Sequence, residues 1–166
     1  MIGALDQRRA AVIDFLASHH VMSLALCADG APRCCSLMYV HDGFALSFVS
    51  DPDSRHSRII DAAKGLPAAV TIAPDYDDFR AIRGLQLTGI VARAGSTEAT
   101  AALASFARRY AFFRGEKPPA LVAAMAKARL YRFTPACITF IDNTTGFGEK
   151  MSFNASELAT PLPNEV

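Results

Sequence analysis

The chain has 166 residues, 51% of them hydrophobic and 20% charged, a length that accommodates one domain with a substantial core. Seventeen Lys and Arg against sixteen Asp and Glu leave a net charge of +1, so no broad field exists to hold nucleic acid or an anionic membrane, and any anion site must be local. A mean hydropathy of +0.20 predicts that some apolar surface is covered by a partner, most economically a second copy of the chain.

Leu5, Val12, Phe15 and Leu16 recur at helical spacing while Arg8, Arg9 and Asp14 fall elsewhere on the wheel, which predicts an amphipathic opening helix. Val21 to Cys27 reads as a strand, Ala28-Asp29-Gly30-Ala31-Pro32 as a turn, Cys34 to Val40 as a second strand, His41-Asp42-Gly43 as another turn and Phe44 to Ser50 as a third strand. Three strands on short links predict an antiparallel meander. Asp53 or Ser54 then caps a short helix carried on by Arg58, Ile59, Ile60 and Ala63. Ala68 to Ala73 follows as a fourth strand, Pro74 to Asp78 as an acidic loop, and Ile82 to Ala94 as a fifth strand. Within the fifth, Gly84 and Gly89 predict bulges or close backbone approach. Thr97 to Arg109 and Pro119 to Ala128 read as helices, Leu130 to Ile141 as the last strand, and residues 155–166 as a loose tail behind a single domain, 1–154. Six strands with peripheral helices and no strand-helix-strand alternation predict a mainly β fold, a closed or nearly closed antiparallel barrel.

No apolar run approaches the roughly 18 residues of a membrane span, and the N-terminal segment lacks the order of a secretory signal, so a cytoplasmic protein is expected. Cys27, Cys34, Cys35 and Cys137 form no C-x-x-C pair and read as reduced, mostly buried thiols. His19-His20 closes the first helix, where imidazole complements the dipole, and no third ligand stands at metal-site spacing. Asp75, Asp77 and Asp78 lack the remaining ligands of a calcium loop and read as solvated.

Two segments carry chemistry. Ser50, Ser54, Arg55, His56 and Arg58 place hydroxyls and cations where a strand ends and a helix begins, the parts a phosphate monoester needs; a capped helix with solvated arginines is the competing reading. The second is "NTTGFGEK", Asn143 to Lys150. It matches neither the P-loop nor G-x-G-x-x-G, since Met151 stands where a third glycine would be. It is either a turn or the rim of a ligand groove, with Asn143 and Lys150 facing substrate.

Together these pieces resemble the pyridoxamine 5′-phosphate oxidase-like, FMN-binding split-barrel superfamily, most specifically its YhbP-like branch. The resemblance lies in "DNTTGFGEKM" (Asp142 to Met151), "IRGLQLTG" (Ile82 to Gly89) and "SDPDSRH" (Ser50 to His56). It implies a homodimer with FMN at the subunit interface, held by Ser50, Ser54, Arg55 and His56, the last standing where the oxidases place a lysine. It further implies that Arg33 and Ser36 lie on the strand lining the flavin ring, and that Gln86 substitutes for a flavin-contacting glutamine replaced by Gly84. The oxidases' substrate-binding tryptophan and Arg-x-His segment have no counterpart, so vitamin B6 oxidation is not expected. The implied function is a flavin-dependent oxidoreductase acting on a small molecule. The alternative is a module that holds flavin, deazaflavin or haem without turnover, with His41 or His56 as haem ligand.

Overall fold

The computed structural model describes residues 4–154 together with Ser156 and Glu157. Apart from those two, the tail expected to be loose lies outside the described residues.

Helix α1 (Ala4–Ser18) buries Val12, Phe15 and Leu16, as its spacing predicts, while Leu5 stays exposed. Arg9 departs from the expected polar face and is only 1% exposed. Its guanidinium lies 5.4 Å from the centre of the Phe44 ring, with Nη1 3.7 Å from Asp6, because an aromatic residue from a distant hairpin reaches this side of the helix. The helix ends as its histidines predict: His19 Nδ1 donates to the Phe15 carbonyl at 2.7 Å and its ring stacks on that of Phe15. Arg109 also donates to the carbonyls of Leu16 and His19. Carbonyls that a helix C-terminus leaves unpaired are thereby satisfied.

Strands β1 (Val21–Ala28) and β2 (Ala31–Met38) form a hairpin closed by Asp29 and Gly30. Both residues have positive φ, the two-residue turn whose twist matches the flanking strands. Beyond β2 the expected meander breaks. Tyr39 interrupts the second strand, and Val40–Asp42, read as part of a strand and a turn, forms the short β3 that pairs with β4 (Ala45–Ser50). Strand β4 then pairs with β7 rather than with β2. After α2 (Arg55–Ala62) come β5 (Leu66–Ile72) and β6 (Arg83–Arg93), then α3 (Ser96–Arg109), α4 (Pro119–Lys127), β7 (Arg129–Asp142) and β8 (Lys150–Asn154). The acidic loop ends in a short 3-10 turn at Phe79–Ala81.

All eight strands lie in one curled antiparallel sheet of order β2-β1-β5-β6-β7-β4-β3, with β8 joined to β7. Among the described residues there are thus eight strands rather than six; β3 and β8 are too short to show a period in the sequence. The long β7 explains the split: its first half pairs with β4 and its second half with β8, while β6 runs along its other edge. The inner face collects Leu24, Leu26, Leu46, Phe48, Val70, Leu85, Leu87, Phe133, Ile138 and Phe140 into the main core. A smaller cluster of Val40, Ala102, Phe106 and Tyr110 seats α3 against the outside of the β3–β4 hairpin.

Gly89 marks a bulge, as expected. The β6–β7 register slips between Thr88 and Gly89, so that Ala136 is passed over, and a Cβ on Gly89 would lie 2.1 Å from the Thr134 carbonyl oxygen. The bulge also accommodates Pro135, which lacks the amide a regular ladder requires. The cysteines differ from expectation. All four are free, but Cys27 and Cys34 are exposed, because their places in the β1–β2 register put them on the outward face. Among the described residues no helix is long and apolar enough to cross a membrane.

Candidate functional site

Ser54 is the N-cap of α2, its hydroxyl accepting from the Ser57 amide at 3.3 Å and donating to the Ser57 hydroxyl at 2.8 Å. The preceding strand β4 ends at Ser50, whose Oγ lies 2.6 Å from His56 Nε2 and 3.2 Å from Ser54 Oγ. Ser54 Oγ is also 3.2 Å from His56 Nε2. Three residues picked from the sequence therefore form one hydrogen-bonded cluster at the start of a helix, where the first amides point outward without intrahelical partners. Burial pushes the His56 pKa below its usual value, so the ring is neutral near pH 7. The cationic character of the site must come from arginine.

It does. Arg33 from β2 and Arg55 from α2 line a 120 Å³ cavity together with His56 and Cys35, and Arg58 lies one turn further along α2. Among the described residues none of these three arginines has a carboxylate partner. An anion would meet hydroxyls, helix amides and guanidinium groups converging from two elements.

Ser50 also lines a second, larger cavity of 310 Å³, with Ser36, Leu37 and Met38 of β2 on one wall. The opposite wall is Phe106, Phe112, Phe113, Leu121 and Met125, from α3, α4 and the turn between them. Lys127 reaches across to Asp51 at 2.6 Å and ties the end of α4 to the β4–α2 link. Sequence reading missed this aromatic wall. The signal in the sequence is the almost wholly apolar run Pro119 to Ala126, none of which is buried in the structure.

Gln86, Asn143 and Lys150 do not join the cluster within one chain. Gln86 points outward from β6 in a transverse row with Thr71, Ser23 and Ser36, three strand spacings or roughly 15 Å from Ser36. Lys150 is exposed on β8 opposite Ile141, whereas Ser50 faces Arg129 on the same strand β7. About twelve residues of strand, on the order of 40 Å of path, separate the two positions. Asn143 is engaged on both sides: its Nδ2 donates across to the Phe79 carbonyl of the 3-10 turn at 2.7 Å, and its Oδ1 accepts from the Gly148 amide within the loop at 3.1 Å. Asp142 binds the Thr144 amide and hydroxyl through Oδ1 and Arg83 through Oδ2. The loop is a self-stapled turn carrying Phe147, 83% exposed, against the edge of Phe79.

A curled antiparallel sheet split along one long strand is the split-barrel fold of pyridoxamine 5′-phosphate oxidase-like proteins. Solved structures agree on the fold. A heme binding protein from Mycobacterium smegmatis superposes with TM-score 0.71 at 18% identity, covering 95% of this chain and 61% of that one. A candidate pyridoxamine 5′-phosphate oxidase from Listeria innocua gives 0.60 at 16%, covering 81% and 98%. An FAD-binding protein from Mesorhizobium loti gives 0.59 at 14%, covering 79% and 91%. No protein-family profile matches the chain. The UPF0306 protein YhbP of Salmonella paratyphi A is 30% identical over 139 residues, 82% of this chain and 86% of that protein. The chain belongs to the UPF0306 YhbP family.

Proposed function

We propose that the protein is a cytoplasmic flavoprotein that binds FMN and uses it as an oxidoreductase on a small molecule. The observation that carries this reading is the junction at Ser50. One side of that hydroxyl joins the Ser54, His56, Arg55 and Arg33 cluster, suited to a terminal phosphate, and the other opens on a 310 Å³ apolar cavity suited to a flat ring. When bound, flavin supplies the redox chemistry, and the chain's own residues hold and orient it. Ser54, Arg55 and Arg33 hold the phosphate, Ser50 meets the chain between phosphate and ring, and the Ser36 to Met38 backbone lies along the ring. The Phe106, Phe112 and Phe113 wall keeps water from its face.

A single phosphate fits one helix start and a 120 Å³ cavity, which favours FMN over a dinucleotide. Haem, which structural neighbours bind, finds no free imidazole at this cluster, because His56 Nε2 is already held 2.6 Å from Ser50. A homodimer completes the site in this reading: Gln86, Asn143 and Lys150, remote from the cluster in their own chain, approach a cofactor only across a subunit boundary.

The test is FMN fluorescence quenching by the wild type and by Arg55→Glu, with light scattering on the same samples. Losing a charged hydrogen bond of about 1.5 to 3 kcal/mol predicts a roughly 10- to 150-fold weaker FMN affinity at unchanged thermal stability. Equal affinity in the two proteins removes Arg55 from the site. A monomer that still binds FMN tightly refutes the shared site.

A further inference from the structure

We propose that the cleft between α3 and the β3–β4 hairpin is a second binding site that takes a neutral molecule with a vicinal diol, either a free monosaccharide or the ribose of a nucleoside. The cleft is 590 Å³ and lies on the side of α3 away from the aromatic wall described above, within the range of small-molecule pockets.

The floor is Ser47. It stands between Val40 and Arg132 on the outer face of β4, is 3% exposed, and opens into the cleft. Among the described residues its hydroxyl has no hydrogen-bond partner. The oxygen itself stays open to the cleft, so it is free to bond a molecule held there.

The walls say what kind of partner. His41 Nδ1 lies 3.1 Å from the Gly43 carbonyl, which accepts only, so Nδ1 carries the proton and Nε2 is left as an acceptor. Arg132 bridges Asp42 at 3.2 Å and Glu98 at 3.4 Å, tying the hairpin to α3 across the cleft. Only Oδ2 of Asp42 is used in that pair, and Oδ1 has no partner among the described residues. Two carboxylates, Arg132 and the rim residue Arg108 sum to no net charge. The cleft thus offers an imidazole acceptor, a carboxylate oxygen and a hydroxyl, together with a flat apolar strip of Ala101 and Ala102. An anion would face Asp42 and Glu98, and a cation would face Arg108 and Arg132. A neutral donor-rich molecule meets no such conflict, and adjacent hydroxyls match a carboxylate beside an imidazole. Among the described residues no group of three or more His, Cys, Asp or Glu is placed to hold a metal ion, and the diol needs none.

The experiment is NMR titration of the full chain with D-ribose, adenosine and 2′-deoxyadenosine, with FMN present so that the Ser54 cluster is occupied. Shifts at His41, Ser47 and Glu98 that saturate, together with at least tenfold weaker binding of 2′-deoxyadenosine, are the expected result. Equal binding of ribose and adenosine assigns a free sugar, and binding of adenosine alone assigns a nucleoside. Ser47→Ala and the exposed Asp42→Asn should each weaken binding about tenfold while melting like the wild type. The proposal is overturned if none of the probes moves those signals, if 2′-deoxyadenosine binds as well as adenosine, or if both variants bind normally. A cleft that only holds water gives that first result.

Discussion

Replacing Gly89 with alanine tests the account of how the barrel splits. The added Cβ would lie 2.1 Å from the Thr134 carbonyl oxygen and 2.8 Å from Pro135 Cα, where unstrained carbon to oxygen contacts are about 3.3 Å or more. Both neighbours are backbone of β7, so no side chain can rotate out of the way, and the strands must separate by about 1 Å. Strand β7 is held on its other edge by β4 and β8, so it has little freedom to retreat. Overpacking costs about 1 to 3 kcal/mol, and loss of one or two neighbouring ladder bonds adds about 1 kcal/mol each. The expected loss is therefore about 2 to 5 kcal/mol, a substantial part of the roughly 5 to 15 kcal/mol that holds such a domain together. At about 2 to 4 °C per kcal/mol for a chain of this size, the melting temperature should fall by on the order of 10 °C. Urea denaturation followed by circular dichroism measures it. A loss below about 1 kcal/mol, the middle of the ordinary range for point mutants, would mean that the bulge relaxes freely and that close approach is not why glycine stands there.

Asn143→Ala removes two hydrogen bonds that staple the loop and should cost about 1 to 2 kcal/mol, whereas Lys150→Ala should stay within about 0.5 kcal/mol; equal melting curves for the two variants would contradict the staple. Because burial depresses the His56 pKa, the unfolded chain binds more protons between the folded value and about 6.5, so stability should rise with pH through that window and be fully present above it. Denaturation midpoints from about pH 5 to about pH 8 should show a shallower rise in His56→Gln, with the remainder due to His41, shifted the same way mainly by burial; an unchanged slope would mean that His56 titrates as it does in the unfolded chain. Arg109→Met should destabilise by about 2 kcal/mol, since one guanidinium serves the carbonyls of Leu16 and His19, and amide exchange should quicken at the end of α1; unaltered exchange there would show that the carbonyls do not depend on it.

What the sequence settles by itself is local. Period-two and helical spacing place most of the elements to within a few residues; Asp29-Gly30 demands its turn, Ser54 its cap, and Gly89 a close approach. These depend on backbone conformation and on neighbours a few residues away, which the order of residues specifies directly. The serine, arginine and histidine group around α2 was legible for the same reason, because Ser50 to Arg58 is one continuous stretch. Tertiary structure decided everything that depends on which strand lies beside which. Antiparallel pairing constrains faces and register but not partners at a distance, so β4 could find β7 only through the curl of the whole sheet. That choice opens the apolar cavity between β2 and the helices, sinks Ser47 beneath α3, buries Arg9 against Phe44, and sets Lys150 far from Ser50. Each of these joins residues tens of positions apart, and the free energy that selects them belongs to the packed core as a whole rather than to any segment of it.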